Sequence, residues 1–586
     1  MLCASILAPL LELSKLDLSV PLVYSDDALL THALIKSTLE QPWFLTNPSL
    51  GAPGAMRLHD FPMADGLHFL WFKLLSIVRS DWAGVANLYY LITFPLTTVT
   101  SLFAMRRLGI ASTPAIVASL LFAFLPYHLI RSQGHLFLAA YYIVPLSVLA
   151  AVWVYLGKLP PRSVSSLPDR PWLRRLALAA VCLLQASAGI YYAAFACFLL
   201  LFAGVAASIE RRKLRPLATA TVLIAATAAG VVANVAPTLV FWSRHGRNPE
   251  VAERSVYDAE RYGLKLAQLL LPNTGHRWKP LAQLRDRYHH SSLAPNENDS
   301  VTLGSVGAVG FLALVFRALF LRRRRESSLL DALTKLNLAA VLLATMGGFG
   351  VLFNLIVDPH IRCYNRIAVF LGFFALTAAA VQMQSWASGW GRGRAMQCLG
   401  YGLLGAVLVL GVLDQAPPCM IPVADWVGPN QAVVAEQFRH DADFVACVEA
   451  VMPHGAMICQ MPYVIFPEST PHHRASPYDH LRPYLHSRQL RWSFGSMCGR
   501  KTDLWQRKTS LLPMPERLRS LKQAGFSGIL VNRRAFADRG RQLESELRGL
   551  LGATPLVGEK AELALFTLDG DSAAPDAMPT VAAAPP

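Results

Sequence analysis

Asp26 and Asp27 are adjacent carboxylates in the stretch "VYSDDALL" (23–30) of a chain otherwise dominated by apolar side chains. The residues alone leave two readings open. Acidic groups favour the first turn of a helix, so Ser25 or Asp26 can cap a helix over 27–39. One short polar residue would meet that need. A second carboxylate against a membrane-proximal surface suits a general base, because low dielectric and mutual repulsion raise its pKa. The following stretch, "NPSLGAPGAMRLHDFPMADGLHF" (47–69), adds Asp60 and Asp65 with His59 and His68. Its prolines and glycines mark a structured irregular loop; loop structure and substrate binding both fit its carboxylates.

Three more clusters carry chemistry. "LPYHLIRSQGHLFLAAYY" (125–142) holds Tyr127, His128, Arg131, His135, Tyr141 and Tyr142 at the junction of two apolar runs. Tyrosines there form interfacial belts, but ionisable groups at membrane depth are costly and face cavities. Cations so placed suit the phosphate of a lipid-linked substrate. "DPHIRCYNR" (358–366) puts Asp358, His360, Arg362 and Arg366 in a short loop on the outer side, where the positive-inside rule would not place arginines. The region 242–302 contributes His276, Arg277, Glu297 and Asp299. Its His289-His290 pair with Glu297 has no diagnostic metal spacing, and Asn298-Asp299-Ser300 matches the generic glycosylation sequon. Apolar residues at helical spacing over 259–271 suit an interfacial helix or one packed on a bundle.

The elements that position these groups are mostly membrane helices. The 586 residues are 53% hydrophobic and 16% charged, against about 25% charged in a soluble domain. The net charge of +16 gathers in short segments between apolar runs: Arg106-Arg107, Arg174-Arg175, Arg211-Arg212-Lys213, Arg322 to Arg325, and Arg392 with Arg394. Such segments stay cytoplasmic, so the charge is a topology signal rather than a nucleic-acid footprint. Apolar runs near 1–13, 84–105, 113–127, 136–156, 176–190, 192–209, 217–241, 303–320, 334–357, 367–386 and 397–414 predict about eleven crossings. The first is below spanning length, so it is partly interfacial or starts upstream. The expected fold is mainly α: a polytopic bundle over 1–414 with outer loops 15–82 and 242–302. Its N-terminus is cytoplasmic.

After 415 the pattern changes. Helical periodicity near 444–452, 515–524 and 539–551 alternates with strand-like runs at 455–461, 528–532 and 561–567. This predicts an extracytoplasmic α/β domain over 415–570, followed by an Ala/Pro-rich disordered tail, 571–586. A polar stretch within it carries Glu468, Asp479, Arg482, His486 and Trp492, which suit either a glycan contact or a plain polar loop. Cys419, Cys447, Cys459 and Cys498 lie where an oxidising compartment permits disulfides; buried thiols fit the pair Cys447 and Cys459 equally.

An acidic pair in the first outer loop, many crossings, an outer loop with amphipathic helices and a C-terminal outer domain together resemble the GT-C superfamily of integral-membrane glycosyltransferases. That superfamily includes polyprenyl-phosphate-sugar-dependent mannosyl- and arabinosyltransferases; YfhO-like membrane proteins have a similar layout. The motif is Ser25-Asp26-Asp27. The chain departs from the superfamily in its short first helix and in lacking the WWD motif of oligosaccharyltransferases, which disfavours protein N-glycosylation. The resemblance implies a sugar transferred from a polyprenyl-phosphate donor to a lipid, glycan or other acceptor at the outer face of a cell membrane, a bacterial inner membrane by its layout. Asp26 or Asp27 would be the catalytic base. Asp60, Asp65, His128, Arg131, His135, His276, Glu297, Arg362 and Arg366 would bind substrate. A divalent cation, magnesium or manganese, is compatible with the carboxylates but not required, since basic side chains supply the same electrostatics. Two rival classes are a transporter or flippase of lipid-linked sugars and a non-catalytic assembly protein. The first predicts ionisable residues in mid-membrane rather than at the outer junctions; the second predicts that the acidic pair tolerates neutral replacement.

Overall fold

A computed structural model describes residues 1–158, 171–251, 254–292, 297–321, 328–389, 394–416 and 431–568. Arg322 to Arg325, Arg392, Cys419 and the 571–586 tail lie outside these residues, as do the side chains of Arg174, Arg175 and Arg394. The chain divides into two compact units. One comprises Met1–Val23, Pro62–Phe241 and Glu253–Gln431; the other comprises Tyr24–Phe61, Trp242–Ala252 and Ala432–Pro586.

The first unit is helical. Among the described residues six helices are long and apolar enough to cross a membrane: Trp82–Arg107, Ser112–Arg131, Ile190–Arg211, Arg215–His245, Tyr364–Ala387 and Ala395–Gln415. Val144–Leu156 and Gly304–Phe320 are apolar but shorter. Their ends follow from sequence. Asp81 accepts a bond from the Gly84 amide to cap Trp82–Arg107, and Arg106 and Arg107 complement the dipole of its last turn. Ser328 and Asp331 form a reciprocal capping box at the start of Leu329–Ala344. Hydroxyls inside the apolar helices bond back to the preceding turn, as Thr97 does to the Thr93 carbonyl at 2.7 Å and Ser101 to that of Thr97 at 2.6 Å. Gly310 lets Gly304–Phe320 approach Ala368–Gly389 to backbone contact, because a Cβ there would meet the Ala375 carbonyl.

Two sequence expectations are corrected in this unit. The run 334–357 is not one helix. It ends at Ala344 and restarts as Phe349–Ile356, with the Leu264 amide donating to the Ala344 carbonyl at 2.7 Å and the Met346 amide returning to Leu264 at 3.3 Å. That same bridge interrupts the 259–271 segment, which forms two short helices, Tyr257–Arg261 and Leu266–Leu270. Backbone groups that a continuous helix would have used internally pair across the two breaks instead.

The second unit contains a five-stranded sheet in the order Arg491–Trp492, Met457–Met461, Phe526–Asn532, Leu563–Thr567, Leu556–Val557. The first three strands are parallel, and the last two run antiparallel to their neighbours. The central strand Phe526–Asn532 is a nearly continuous apolar run buried on both faces, as a parallel strand requires. Helices Met514–Gln523 and Arg541–Leu551 place Leu518, Leu521 and Leu547 on it, with Ile529, Val531 and Phe566. Trp492, considered above as a glycan contact, is fully buried in its strand, and Asp479 and Arg482 are buried as well. Its burial excludes Trp492 from stacking on an external sugar.

Within this unit Asp441 ties three segments together. Arg482 clamps it through two bonds of 2.7 and 2.9 Å, and the Tyr24 hydroxyl donates to it at 3.0 Å. Removing one partner of a buried pair leaves the other uncompensated. Asp441→Ala is expected to destabilise the purified chain by about 3–5 kcal/mol, read as a lowered Tm; an unchanged Tm would refute this role.

Candidate functional site

In the first unit, Arg131, His135, Glu297 and Arg366 come together. Arg131 closes the short helix Pro126–Arg131, Arg366 lies in the turn Tyr364–Ile367, and Glu297 opens the turn Glu297–Ser300. Arg131 donates through Nη1 to Glu297 Oε2 at 3.0 Å and through Nη2 to the Glu297 carbonyl at 3.3 Å. Arg366 Nη2 stands 3.7 Å from the same Oε2. Each guanidinium also lies over a tyrosine ring, Arg131 on Tyr127 at 5.4 Å and Arg366 on Tyr191 at 4.3 Å. Burial raises the Glu297 carboxyl, but Arg131 and Arg366 outweigh it and hold the group far below the usual carboxylate range. His135 is pushed down to about 3 by burial and by Arg131, so it is neutral. The expected cation cluster is therefore two arginines around one carboxylate, with a net charge of +1. Arg131 Nε and Arg366 Nε are buried without a hydrogen-bond partner among the described residues. Two buried donors and one uncompensated charge suit an anion.

The turn that presents Glu297 is held by its neighbours. Asn298 donates to the Gly263 carbonyl at 2.9 Å, and Asp299 pairs with the buried Arg285. Asn298 is fully buried, so the glycosylation sequon is not accessible. Glu297 is engaged by arginines rather than by His289 and His290. Among the described residues no three His, Cys, Asp or Glu side chains are grouped to hold a metal ion.

Other predicted site residues of this unit have separate partners. His128 is a packed core residue: its ring stacks on Phe94 at 3.8 Å, Nδ1 lies 2.9 Å from the Ala123 carbonyl, and Nε2 lies 2.8 Å from Thr93 Oγ1. Both ring nitrogens are thus occupied, and it does not join the arginines. His276 pairs with Asp414 at 3.2 Å. Arg362 pairs with Asp258 at 3.5 Å and covers the Tyr262 ring. Asp65 precedes the helix Gly66–Leu75 without a side-chain cap bond. Burial pushes its carboxyl up to about 7.

In the second unit the acids divide by how they are used. Asp60 is consumed: Arg500 clamps both its oxygens at 2.6 and 2.7 Å, and Trp242 donates at 2.9 Å. Burial alone would raise its carboxyl; the Arg500 and Trp242 bonds hold it below the ordinary value. Its role is structural. Asp26 is different. It occupies the N-cap position of the helix Asp27–Glu40, yet its side chain makes no cap bond, which corrects the capping expectation. Its backbone sits at φ 49° and ψ −133°, a conformation costly for a residue with a Cβ and typical of functional positions. The residue reaches solvent. Desolvation still raises its carboxyl, with Asp479 adding to the rise against Ser25 and Arg534. Asp27 is exposed in the first turn, where its charge favours the helix. Cys447, Cys459 and Cys498 are free thiols, and burial pushes Cys459 up to about 12.

Sequence inspection missed Tyr191 as the ring beneath Arg366 and Arg500 as the owner of Asp60. An aromatic between the apolar runs 176–190 and 192–209 was the signal for the first; distance along the chain hid the second.

Residues 67–349 match a family described as a domain of unknown function (DUF6311). No curated protein matches the chain. Among solved structures, ArnT from Cupriavidus metallidurans bound to undecaprenyl phosphate is similar at 11% identity and a TM-score of 0.50, covering 98% of each chain. The apo oligosaccharyltransferase of Archaeoglobus fulgidus is similar at 12% identity and a TM-score of 0.47, over 91% of this chain and 69% of that one. At these identities the likeness is one of fold: the chain shares the fold of the ArnT structure.

Proposed function

We propose that the chain is a membrane glycosyltransferase that moves a hexosyl or pentosyl group from a polyprenyl-phosphate donor to a lipid, glycan or other acceptor on the outer face of the membrane. The observation that carries this reading is the pair Arg131 and Arg366, which share one carboxylate and each keep a buried, unpartnered Nε among the described residues. A phosphodiester-linked sugar brings the negative charge this group lacks. The fold likeness to ArnT, whose structure contains undecaprenyl phosphate, supports the same class of donor.

The chemistry is displacement at the anomeric carbon. An acceptor hydroxyl attacks that carbon and its proton passes to a carboxylate. The bond from the anomeric carbon to the phosphate oxygen breaks with its electron pair. The leaving phosphate gains charge, which preorganised guanidiniums stabilise best in a water-poor environment. The resemblance assigns the base to Asp26 or Asp27, and of the two Asp26 has the raised carboxyl and no capping bond. Asp27 supports that helix start and is the secondary candidate.

Asp26→Asn is expected to lower transfer of labelled sugar from a lipid extract to endogenous acceptor by about 10²–10⁴-fold, with Asp27→Asn weaker. Wild-type rates from a folded double variant would dispose of the assignment. Arg366→Gln removes one of the two charges facing the leaving group and is expected to cost about 10²-fold in rate; full activity would exclude the phosphate role.

Asp65 gives a pH test. Its folded carboxyl titrates near 7 against an ordinary value of 3.8, so the folded chain holds that proton more tightly than the unfolded chain does. Its contribution to stability is present below about pH 4 and is lost as pH rises toward about 7, by at most about 1.4 kcal/mol per pH unit. Asp65→Asn is expected to flatten the decline of Tm over this window. Parallel wild-type and variant profiles would show that Asp65 titrates normally.

A further inference from the structure

The second unit contains a basic cavity that uses none of the residues above. Among the described residues Arg533, Arg539, Arg541 and Arg548 line it with Ser545 and Ala561, and Glu544 is the one acid. Its volume is about 480 Å³, within the usual range of small-molecule sites, about 300–1,000 Å³. Four guanidiniums against one carboxylate leave a net charge of +3 on the lining.

The carboxylate is already taken. Arg533 donates to Glu544 at 2.5 and 2.8 Å and, through Nη1, to the Ala561 carbonyl at 3.1 Å. Arg533 is thus a strut between the helix Arg541–Leu551 and the turn before Leu563–Thr567. Arg548 lies 3.6 Å from Glu544 and only shares it. Arg539, Arg541 and Arg548 are exposed. The helix N-terminus is also occupied: Asp538 accepts from the Gly540 and Gln542 amides, both at 2.9 Å. What the cavity offers a ligand is therefore its guanidiniums. Like charges that share one lining repel and are joined by an anion, and planar forks match phosphate oxygens in pairs.

Among the described residues the lining contains no aromatic or large aliphatic side chain. An acyl chain would find no apolar wall, whereas a hydroxyl-rich body would meet Ser545 and the arginine donors. The volume exceeds what a bare phosphate fills. We propose that this cavity binds a phosphorylated saccharide, its phosphate held by Arg539, Arg541 and Arg548.

Calorimetric titration of the full chain in non-ionic detergent, with glucose 1-phosphate as probe and glucose as neutral control, tests this. The wild type is expected to bind glucose 1-phosphate with an affinity that falls as salt is added, and not to bind glucose. The R539A/R541A/R548A variant, with Arg533 retained as strut, is expected to bind at least about tenfold more weakly at unchanged Tm. If the triple variant folds poorly, R541A alone is expected to weaken binding about fivefold. Absence of wild-type binding, or equal affinity in a folded variant, overturns the site. Binding of dihexanoyl phosphatidic acid without glucose 1-phosphate overturns the saccharide assignment in favour of a lipid head group.

Discussion

The first unit depends on one shared carboxylate. Among the described residues Glu297 is the anion shared by the buried Arg131 and the largely covered Arg366, and through it the turn 297–300 is fastened to Pro126–Arg131 and to Tyr364–Ile367. Buried arginines cannot shed their charge, so the segments that carry them must converge on an acid or leave charge unpaired in low dielectric. One carboxylate cannot neutralise two arginines. The arrangement is therefore stable enough to fold and still short of one negative charge, which is the electrostatic state expected of a site awaiting an anion.

The second unit uses the same chemistry to a different end. Asp60 with Arg500, Asp441 with Arg482, and Glu544 with Arg533 are pairs in which each acid faces a clamping arginine. These close charge on itself and fasten distant segments. Against them Asp26 stands out by what it does not do: it occupies a cap position, adopts a costly backbone conformation and makes no cap bond. An acid in a costly backbone conformation whose side chain caps no helix end is a better functional candidate than one clamped by an arginine, a distinction that rests on geometry rather than on residue type.

Histidines show the same separation. His128 and His135 are seven residues apart in one polar stretch and read alike in sequence. In the structure His128 has both nitrogens occupied within the helical core, whereas His135 lies among the arginines as a neutral group. Residue type read them alike; packing gave them different partners. The glycosylation sequon and Trp492 fail for the same reason, since both groups point into packed interior.

Apolar run length and the placement of basic residues made legible a mainly helical chain with helices long and apolar enough to cross a membrane, because both signals are local and read along the chain. Strand and helix patterns after 415 were legible for that reason too, as the central strand Phe526–Asn532 shows. The breaks at 345–348 and 262–265 were not, since each exists only because the other supplies backbone partners. Tertiary structure alone decided which of the polar residues meet. Glu297 reaches Arg131 across 166 positions and Asp60 reaches Arg500 across 440, and no spacing rule along the sequence carries information about contacts that only the folded chain creates.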